Sequence, residues 1–249
     1  MKKVSIITVC KNSEDTIEET ILSVIGQKYS NIEYIIIDGG STDGTLGIIN
    51  SYKEKIKIII SEPDIGIYDA INKGIEYSSG DIVGILHSDD IFASNDVIVN
   101  IANYFISSNL DAIYGDLNYV LRNNLNKVIR KWKSGPYNRN KLLFGWMPPH
   151  PTVFIKKKVF DRYGLYDLSF GTAADYELLI RFLYRYNISC AYLPQVVTKM
   201  RIGGVSNASI TNRFKAHVQD WKAWIKNDIS NFPIWVTLKP IRKIHQYFF

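Results

Sequence analysis

The chain has 249 residues, enough for one large domain or a domain with an appendage, and its 46% hydrophobic content supplies an ordinary globular core. No apolar run approaches the roughly 18–20 residues of a membrane span, and its two cysteines, Cys10 and Cys190, give neither a disulfide framework nor metal-ligand spacing. The net charge of +6 is unevenly spread: residues 122–141 hold Arg122, Lys127, Arg130, Lys131, Lys133, Arg139 and Lys141 without one acid.

Met1-Lys2-Lys3 and the apolar stretch behind it imitate a signal peptide, but the stretch is too short and ends at Lys11. Residues 4–10 therefore read as a buried first strand of a cytoplasmic chain. A helix follows over 16–26, with Ile17, Ile21, Val24 and Ile25 on one face. Residues 32–38 are again strand, and Gly39-Gly40-Ser41-Thr42-Asp43-Gly44 is a turn opening a helix near 45–52. A strand over 56–61, a helix over 69–77, a strand over 81–86 and a helix over 97–107 complete the first half. This βα alternation predicts an α/β fold with a mainly parallel sheet and helices on both faces.

Beyond Ala112 the pattern changes. Strands are expected over 112–114 and 117–121, with Asn123-Asn124 turning the chain into a hairpin strand over 127–132. Three prolines interrupt Trp146-Met147-Pro148-Pro149-His150-Pro151, which excludes regular helix there. A strand over 152–155, helices over 157–163 and 175–186, and strands over 189–193 and 196–200 follow. From Ile210 a helix leads into a basic, aromatic tail containing Lys239, Arg242, Lys243, Tyr247, Phe248 and Phe249.

The segment richest in chemistry is Gly80 to Asp90, an apolar strand ending in Asp89-Asp90. Carboxylates at the carboxyl end of a buried strand lie where open α/β sheets bind ligands. Two of them together call for a counter-charge, and Mg²⁺ or Mn²⁺ carrying a phosphate suits hard oxygen donors; a helix cap or a solvated turn is the commoner reading of such a pair taken alone. Asp38 ends the second strand beside Gly39-Gly40, placed to accept a hydrogen bond from a base or ribose; an ordinary strand-to-helix turn explains it equally well. Asp64 and Gly66 shape a loop, and Lys73, one helical turn further on, is within reach of a phosphate. Asp175 stands at a helix start, as an N-cap or as a general base. His150 is held between prolines, where a packed loop histidine is the plainer reading, and Arg201 precedes Gly203-Gly204 in a loop that either closes over a diphosphate or is an ordinary surface turn. Neither a Gly-x-Gly-x-x-Gly fingerprint nor a P-loop is present, which argues against dehydrogenases and P-loop enzymes.

Taken in order, these segments resemble the inverting glycosyltransferases of family 2, which have the GT-A nucleotide-diphospho-sugar transferase fold. The resemblance runs from Val4 to about Asn207. It rests on Ser5-Ile6-Ile7-Thr8-Val9, Ile36-Ile37-Asp38-Gly39-Gly40-Ser41-Thr42-Asp43-Gly44-Thr45, Pro63 to Gly74, Leu86-His87-Ser88-Asp89-Asp90, Pro149-His150-Pro151-Thr152 and Ala174-Asp175-Tyr176-Glu177-Leu178. The subgroup it points to builds bacterial O-antigen, capsule or colanic-acid-like polysaccharides.

The resemblance implies a GT-A domain over 1–207, divided into a nucleotide-binding half (1–110) and an acceptor-binding half (111–207), with a helical extension over 208–249. It implies that Thr8, Val9, Asp38, Asp64, Lys73, Ser88, Asp89 and Arg201 surround a nucleotide sugar, with a UDP-sugar as the expected donor. Asp89 and Asp90 would hold Mn²⁺ or Mg²⁺, Asp175 would be the base, and His150 and Trp146 would meet the acceptor. Tyr166 and Phe170 are further candidates for an aromatic sugar-binding wall. Three positions depart from the family pattern: His87 replaces the first acid of Asp-x-Asp-Asp, Gly39 replaces a second Asp after strand two, and Ala174 replaces a Glu before the base. No nucleic acid is expected as a partner. The basic hairpin and tail suggest peripheral docking at the cytoplasmic face of the inner membrane, where a lipid-linked saccharide would be acceptor; a homo-oligomer contact by the tail is the other reading. A nucleotidyltransferase and a non-catalytic sugar-nucleotide or membrane-binding module remain the competing classes.

Overall fold

The strands of the first half are buried on both faces, which is why they read as nearly continuous isoleucine and valine. In the computed structural model, which describes residues 1–203, 219 and 221–229, β1 (Val4–Cys10) pairs in parallel with β2 (Ile32–Asp38) and with β4 (Ile82–Ile85), and β2 pairs with β3 (Ile58–Ser61). The sheet continues through β8 (Phe154–Lys156), β6 (Ala112–Leu121), β9 (Cys190–Arg201) and β5 (Asp90–Phe92) in the order β3-β2-β1-β4-β8-β6-β9-β5. β7 (Asn124–Trp132) folds back on the outer part of β6 as a hairpin. Parallel pairing thus belongs to the β3-β2-β1-β4 half and to β6/β9, while β8 runs antiparallel between the halves.

Side-chain alternation divides the core into two layers. Ile7, Val9, Ile35, Ile37, Val83 and Ile85 face α3 (Ile67–Tyr77), α6 (Lys157–Tyr163) and α7 (Ala174–Ile180). Ile6, Cys10, Tyr34, Ile36 and Ile82 face α1 (Ile17–Ile25), α2 (Thr45–Ser51) and α4 (Val97–Ser107). Gly74 lets α3 lie directly on the sheet, because a Cβ there would fall 2.4 Å from Ile7 Cγ2.

Two strands expected in the second half turn out to be one, and so do the two after them. β6 runs unbroken through Gly115-Asp116, and β9 runs through Pro194; the register shift between Tyr114↔Tyr192 and Asp116↔Val196 absorbs the extra residues as a bulge. Thr152 belongs to a short 3₁₀ turn (His150–Thr152) rather than to a strand, and α7 passes at Ile180 into a π turn over Arg181–Arg185. The expected helix from Ile210 and the basic tail lie almost entirely outside the described residues. Within 221–229, helical turns place Trp224 in the core, with its indole donating to the Tyr176 hydroxyl at 2.7 Å. No helix among the described residues is long and apolar enough to cross a membrane.

Two buried acids tie layers together. Glu177, 1% exposed, pairs with Arg181 at 3.0 Å and accepts from Asn227 at 3.1 Å, joining α7 to the 221–229 segment. Glu33, on β2, accepts from Lys3 Nζ (2.7 Å), Ser5 Oγ (2.6 Å) and both the backbone N–H and hydroxyl of Ser79 (2.8 and 2.6 Å). Burial alone would raise its pKa, but these hydrogen bonds win and hold it at about 2. A depressed carboxylate stabilises the fold above its unfolded pKa and loses that stabilisation as pH falls through the folded one. Glu33 therefore contributes about 3 kcal/mol at neutral pH, lost progressively below about pH 4.5. Chemical denaturation of Glu33→Gln should show a clear loss of stability at pH 6 that largely disappears near pH 2; an equal loss at both would contradict this role.

Candidate active site

β1, β2 and β3 end in register at Cys10, Asp38 and Ser61, so the loops that follow share one rim of the sheet. Hydrogen bonds knit that rim. Ser13 Oγ and Ser88 Oγ are 2.9 Å apart, Asn12 N–H donates to Ser41 Oγ at 2.8 Å, and Thr42 N–H donates to Asn12 Oδ1 at 2.9 Å. This is the edge at which α/β sheets bind ligands. A groove of about 450 Å³ lined by Lys2, Ser79, Asn109, Lys156 and Lys158 lies at the opposite, amino end of β1 and β4.

Asp38 is buried and accepts from Ser41 N–H (3.0 Å), the Ser41 hydroxyl and Ser61 Oγ (2.7 Å). Burial raises its pKa and the hydrogen bonds outweigh burial, so it stays ionised. Asp64 reaches over the same turn. Its Oδ2 lies 2.2 Å from where a Cβ on Gly39 would stand, and its Oδ1 accepts from Gly66 N–H at 3.0 Å. The glycine found in place of a second acid therefore makes room for the carboxylate of Asp64. Thr8 and Val9 both point into the core: the Thr8 hydroxyl lies 3.1 Å from Tyr34 Oη, and Val9 packs in the α3 layer. Neither side chain is offered to a ligand. Lys73 is paired with Glu62 (2.8 Å) and Asp69 (3.4 Å).

The two adjacent carboxylates separate. Asp89 is partly exposed in the turn after β4, whereas Asp90 opens β5 and is 0% exposed, with neither carboxylate oxygen hydrogen-bonded. Burial, then the charge of Asp89, push the Asp90 pKa well up, and Arg201 offsets them only partly. Asp90 is therefore enclosed behind the rim with its pKa pushed up, and Asp89 is the member of the pair that the rim presents to a ligand. Arg201 departs from its sequence reading. Rather than closing over a diphosphate, it is 1% exposed and pairs with Glu19, donates to the Asp89 carbonyl at 2.7 Å and to the Arg122 carbonyl at 3.2 Å.

His87 lies in the turn between β4 and β5, with Nδ1 buried and without a hydrogen-bond partner. Burial and the neighbouring His150 lower its pKa to about 4, against the opposing charges of Asp89 and Asp175. One neutral imidazole thus lies within the field of both acids. The His150 ring stands 5.9 Å from it, also lowered to about 4 by burial, and its Nε2 is 2.8 Å from Tyr166 Oη. Asp175, in the first turn of α7, is partly exposed and accepts from Tyr176 N–H at 2.8 Å. Trp146 lies further out, donating to the Ser134 carbonyl at 3.2 Å and packed on Tyr114 and Tyr137. Phe170 is in the core instead of lining the cleft.

Sequence reading missed Tyr68, stacked on Tyr166 with centroids 5.4 Å apart, and Asp116, which accepts from Tyr192 Oη (2.9 Å) and Ser134 N–H (2.8 Å). The spacing of Tyr68 and Asn72, one helical turn apart, is the signal that marks the first.

For a divalent ion, Asp89 offers a hard oxygen donor at the rim, and the Nδ1 of neutral His87 is an orphaned donor close by. No cage of three His, Cys, Asp or Glu exists among the described residues. This fits an ion held by one carboxylate and substrate phosphate oxygens, a common arrangement for Mg²⁺.

A parallel half-sheet with acids at its carboxyl rim, joined to a mixed half that delivers another acid from α7, defines a glycosyltransferase of the GT-A type. Solved structures with this fold include Staphylococcus aureus TarS in complex with UDP (TM-score 0.70, 16% identity, covering 99% of this chain and 72% of that one). Another is the Pyrobaculum calidifontis mannosyltransferase PcManGT in complex with GDP-Man and Mn²⁺ (TM-score 0.66, 17% identity, covering 99% and 69%). The chain belongs to glycosyl transferase family 2, whose family model matches residues 5–164. It is 34% identical over 182 residues to a glycosyltransferase of Mycobacterium tuberculosis (72% of this chain, 68% of the relative). It is 28% identical over 214 residues to a PGL/p-HBAD biosynthesis glycosyltransferase of Mycobacterium bovis (84% and 81%).

The split of the acid pair yields a contrast. Asp90→Asn should keep the melting temperature and any transfer activity near wild type, while Asp89→Asn should remove activity. Equal loss in both, measured alongside thermal unfolding, would contradict the enclosed position of Asp90.

Proposed function

We propose that the chain transfers a sugar from a UDP-sugar to a saccharide hydroxyl with inversion, using Asp175 as general base. The observation that carries this reading is that the charges of Asp89 and of Asp175, from opposite halves of the chain, both act on the one imidazole of His87. The donor diphosphate and the acceptor hydroxyl are thereby assigned to adjoining ends of one cleft.

Asp175 takes the proton from the acceptor hydroxyl as that oxygen bonds to the anomeric carbon. The bond from that carbon to the diphosphate oxygen breaks on the opposite face, and its electron pair leaves with the nucleoside diphosphate. Base assistance of this kind typically contributes about 10²–10⁴ in rate. A divalent ion at Asp89, Mn²⁺ or Mg²⁺, would supply Lewis-acid stabilisation of the leaving diphosphate. Backbone of residues 8–9 and the rim around Asp38 and Asp64 would seat the nucleoside, and neutral His150 with Trp146 would face the acceptor. The Mn²⁺ complex of PcManGT and the UDP complex of TarS support a nucleotide sugar and a metal by analogy of fold.

Asp175→Asn keeps the shape and removes the base. Its transfer rate should fall at least about 10²-fold, with UDP affinity by calorimetry unchanged. Wild-type turnover in this variant would dismiss Asp175 as base.

The acceptor we assign is a lipid-linked saccharide at a membrane surface. The β6–β7 hairpin supports this, presenting Val128 and Ile129 to solvent beside exposed Lys127, Lys131 and Lys133, with Arg130 stacked over Tyr119 at 4.5 Å. Basic residues near an anionic surface contribute about 1 kcal/mol each. Replacing Lys127, Lys131 and Lys133 by Glu should abolish sedimentation with anionic liposomes; unchanged sedimentation would remove the hairpin from membrane docking.

A further inference from the structure

The motif Tyr68-Asp69-Ala70-Ile71-Asn72 is only partly explained by the donor site, although it lies at the start of α3 against the segment that carries Asp175. Tyr68 and Asn72 are four residues apart and so share a helix face. Asn72 makes a two-way bond with the backbone of Tyr166: its Nδ2 donates to the Tyr166 carbonyl at 2.8 Å, and Tyr166 N–H donates to its Oδ1 at 2.9 Å. Tyr68 continues the contact along the same segment. Its ring stacks on that of Tyr166, and its hydroxyl lies 3.5 Å from the carbonyl of Thr172, three residues before Asp175. The Tyr68 side chain is half-buried, and desolvation, then the charge of Asp175, drive its pKa well upward. It is therefore a permanent donor at physiological pH, aimed at an acceptor that must stay ionised to work.

We propose that Tyr68 is a positioning residue for the base: its hydroxyl orients the Asp175 carboxylate, while Asn72 anchors the segment 166–175 to α3. The inference rests on Asp175 being the base. The loop ahead of α7 contains Gly171 at φ 50°, a left-handed conformation, so its own helical geometry does not fix where Asp175 points. The face of α3 supplies that restraint. Among the described residues, the charge of Asp175 acts on Tyr68 from α3, Tyr166 from the loop after α6 and His87 from the turn after β4. Of these, Tyr68 is held by stacking on the segment that leads to Asp175, with its hydroxyl 3.5 Å from the Thr172 carbonyl.

Tyr68→Phe keeps the ring and deletes only the hydroxyl. Without that donor the ionised base is less favoured and less oriented. The full-length variant should show an acid limb of kcat/KM moved up by about one pH unit and a kcat about tenfold lower, with donor KM unchanged. A merely structural tyrosine would lower the melting temperature and leave the acid limb in place. If Tyr68→Phe does not give the wild-type circular dichroism spectrum, 3-fluorotyrosine introduced at position 68 carries the test. Its more acidic phenol should move the acid limb down instead of up. Asp175→Asn is measured beside it. An unmoved acid limb with inactive Asp175→Asn overturns the role of Tyr68 alone, whereas an active Asp175→Asn overturns the base assignment beneath it.

Discussion

A buried guanidinium holds the site in register. Arg201, at the end of β9, reaches across the sheet to the Asp89 carbonyl, to Glu19 on α1 and to the turn of the β6–β7 hairpin. The turn after β4 has no strand of its own to fix it, and this contact at 2.7 Å satisfies the Asp89 carbonyl. Leaving a buried carbonyl unsatisfied costs about 1–3 kcal/mol, and a lysine could not reach three partners with one planar fork. The two halves of the sheet are thus linked at the turn that carries Asp89.

The acids of the cleft illustrate how environment divides labour among identical side chains. Asp38 is ionised by a set of hydroxyl and N–H donors and shapes the second loop. Asp64 fills the space left by Gly39. Asp90 is enclosed with its pKa pushed up, and Asp89, one residue earlier, remains at the rim. Asp175 alone approaches from the far half of the chain, bounded by two tyrosines and a neutral histidine. Charge is therefore concentrated at two points, one suited to a metal-bound diphosphate and one to a proton. Burial of His87 and His150 keeps both rings uncharged between them.

Much of this was legible in the sequence. β1 and β2 are bounded as expected because uninterrupted apolar runs between polar turns admit one reading, and the helices over 97–107 and 157–163 follow equally clear patterns. The family resemblance located Asp38, Asp89 and Asp175 at element ends where the fold indeed carries them. Long-range geometry was not legible. Gly115-Asp116 and Pro194 look like strand breaks, yet both lie in continuous strands because a bulge between β6 and β9 absorbs them. An Arg before two glycines resembles a mobile phosphate clamp, and only the sheet order brings α1 and the Asp89 turn close enough to bury it. Likewise, adjacent Asp89 and Asp90 look equivalent until β5 begins between them and sends their side chains into different surroundings. Tyr68 escaped notice because its partner lies a hundred residues away.

The central claim is that the rim formed by β1–β4 binds a uridine diphosphate with a divalent ion at Asp89. It is tested most directly by thermal unfolding with UDP, with and without Mn²⁺, against GDP and ADP as controls. Saturation at about 100 times the dissociation constant stabilises the fold by about 2.7 kcal/mol. The account predicts a rise in melting temperature with UDP that grows with Mn²⁺ and is lost in Asp89→Asn. The same melting temperature with and without every nucleotide, metal present, would contradict it.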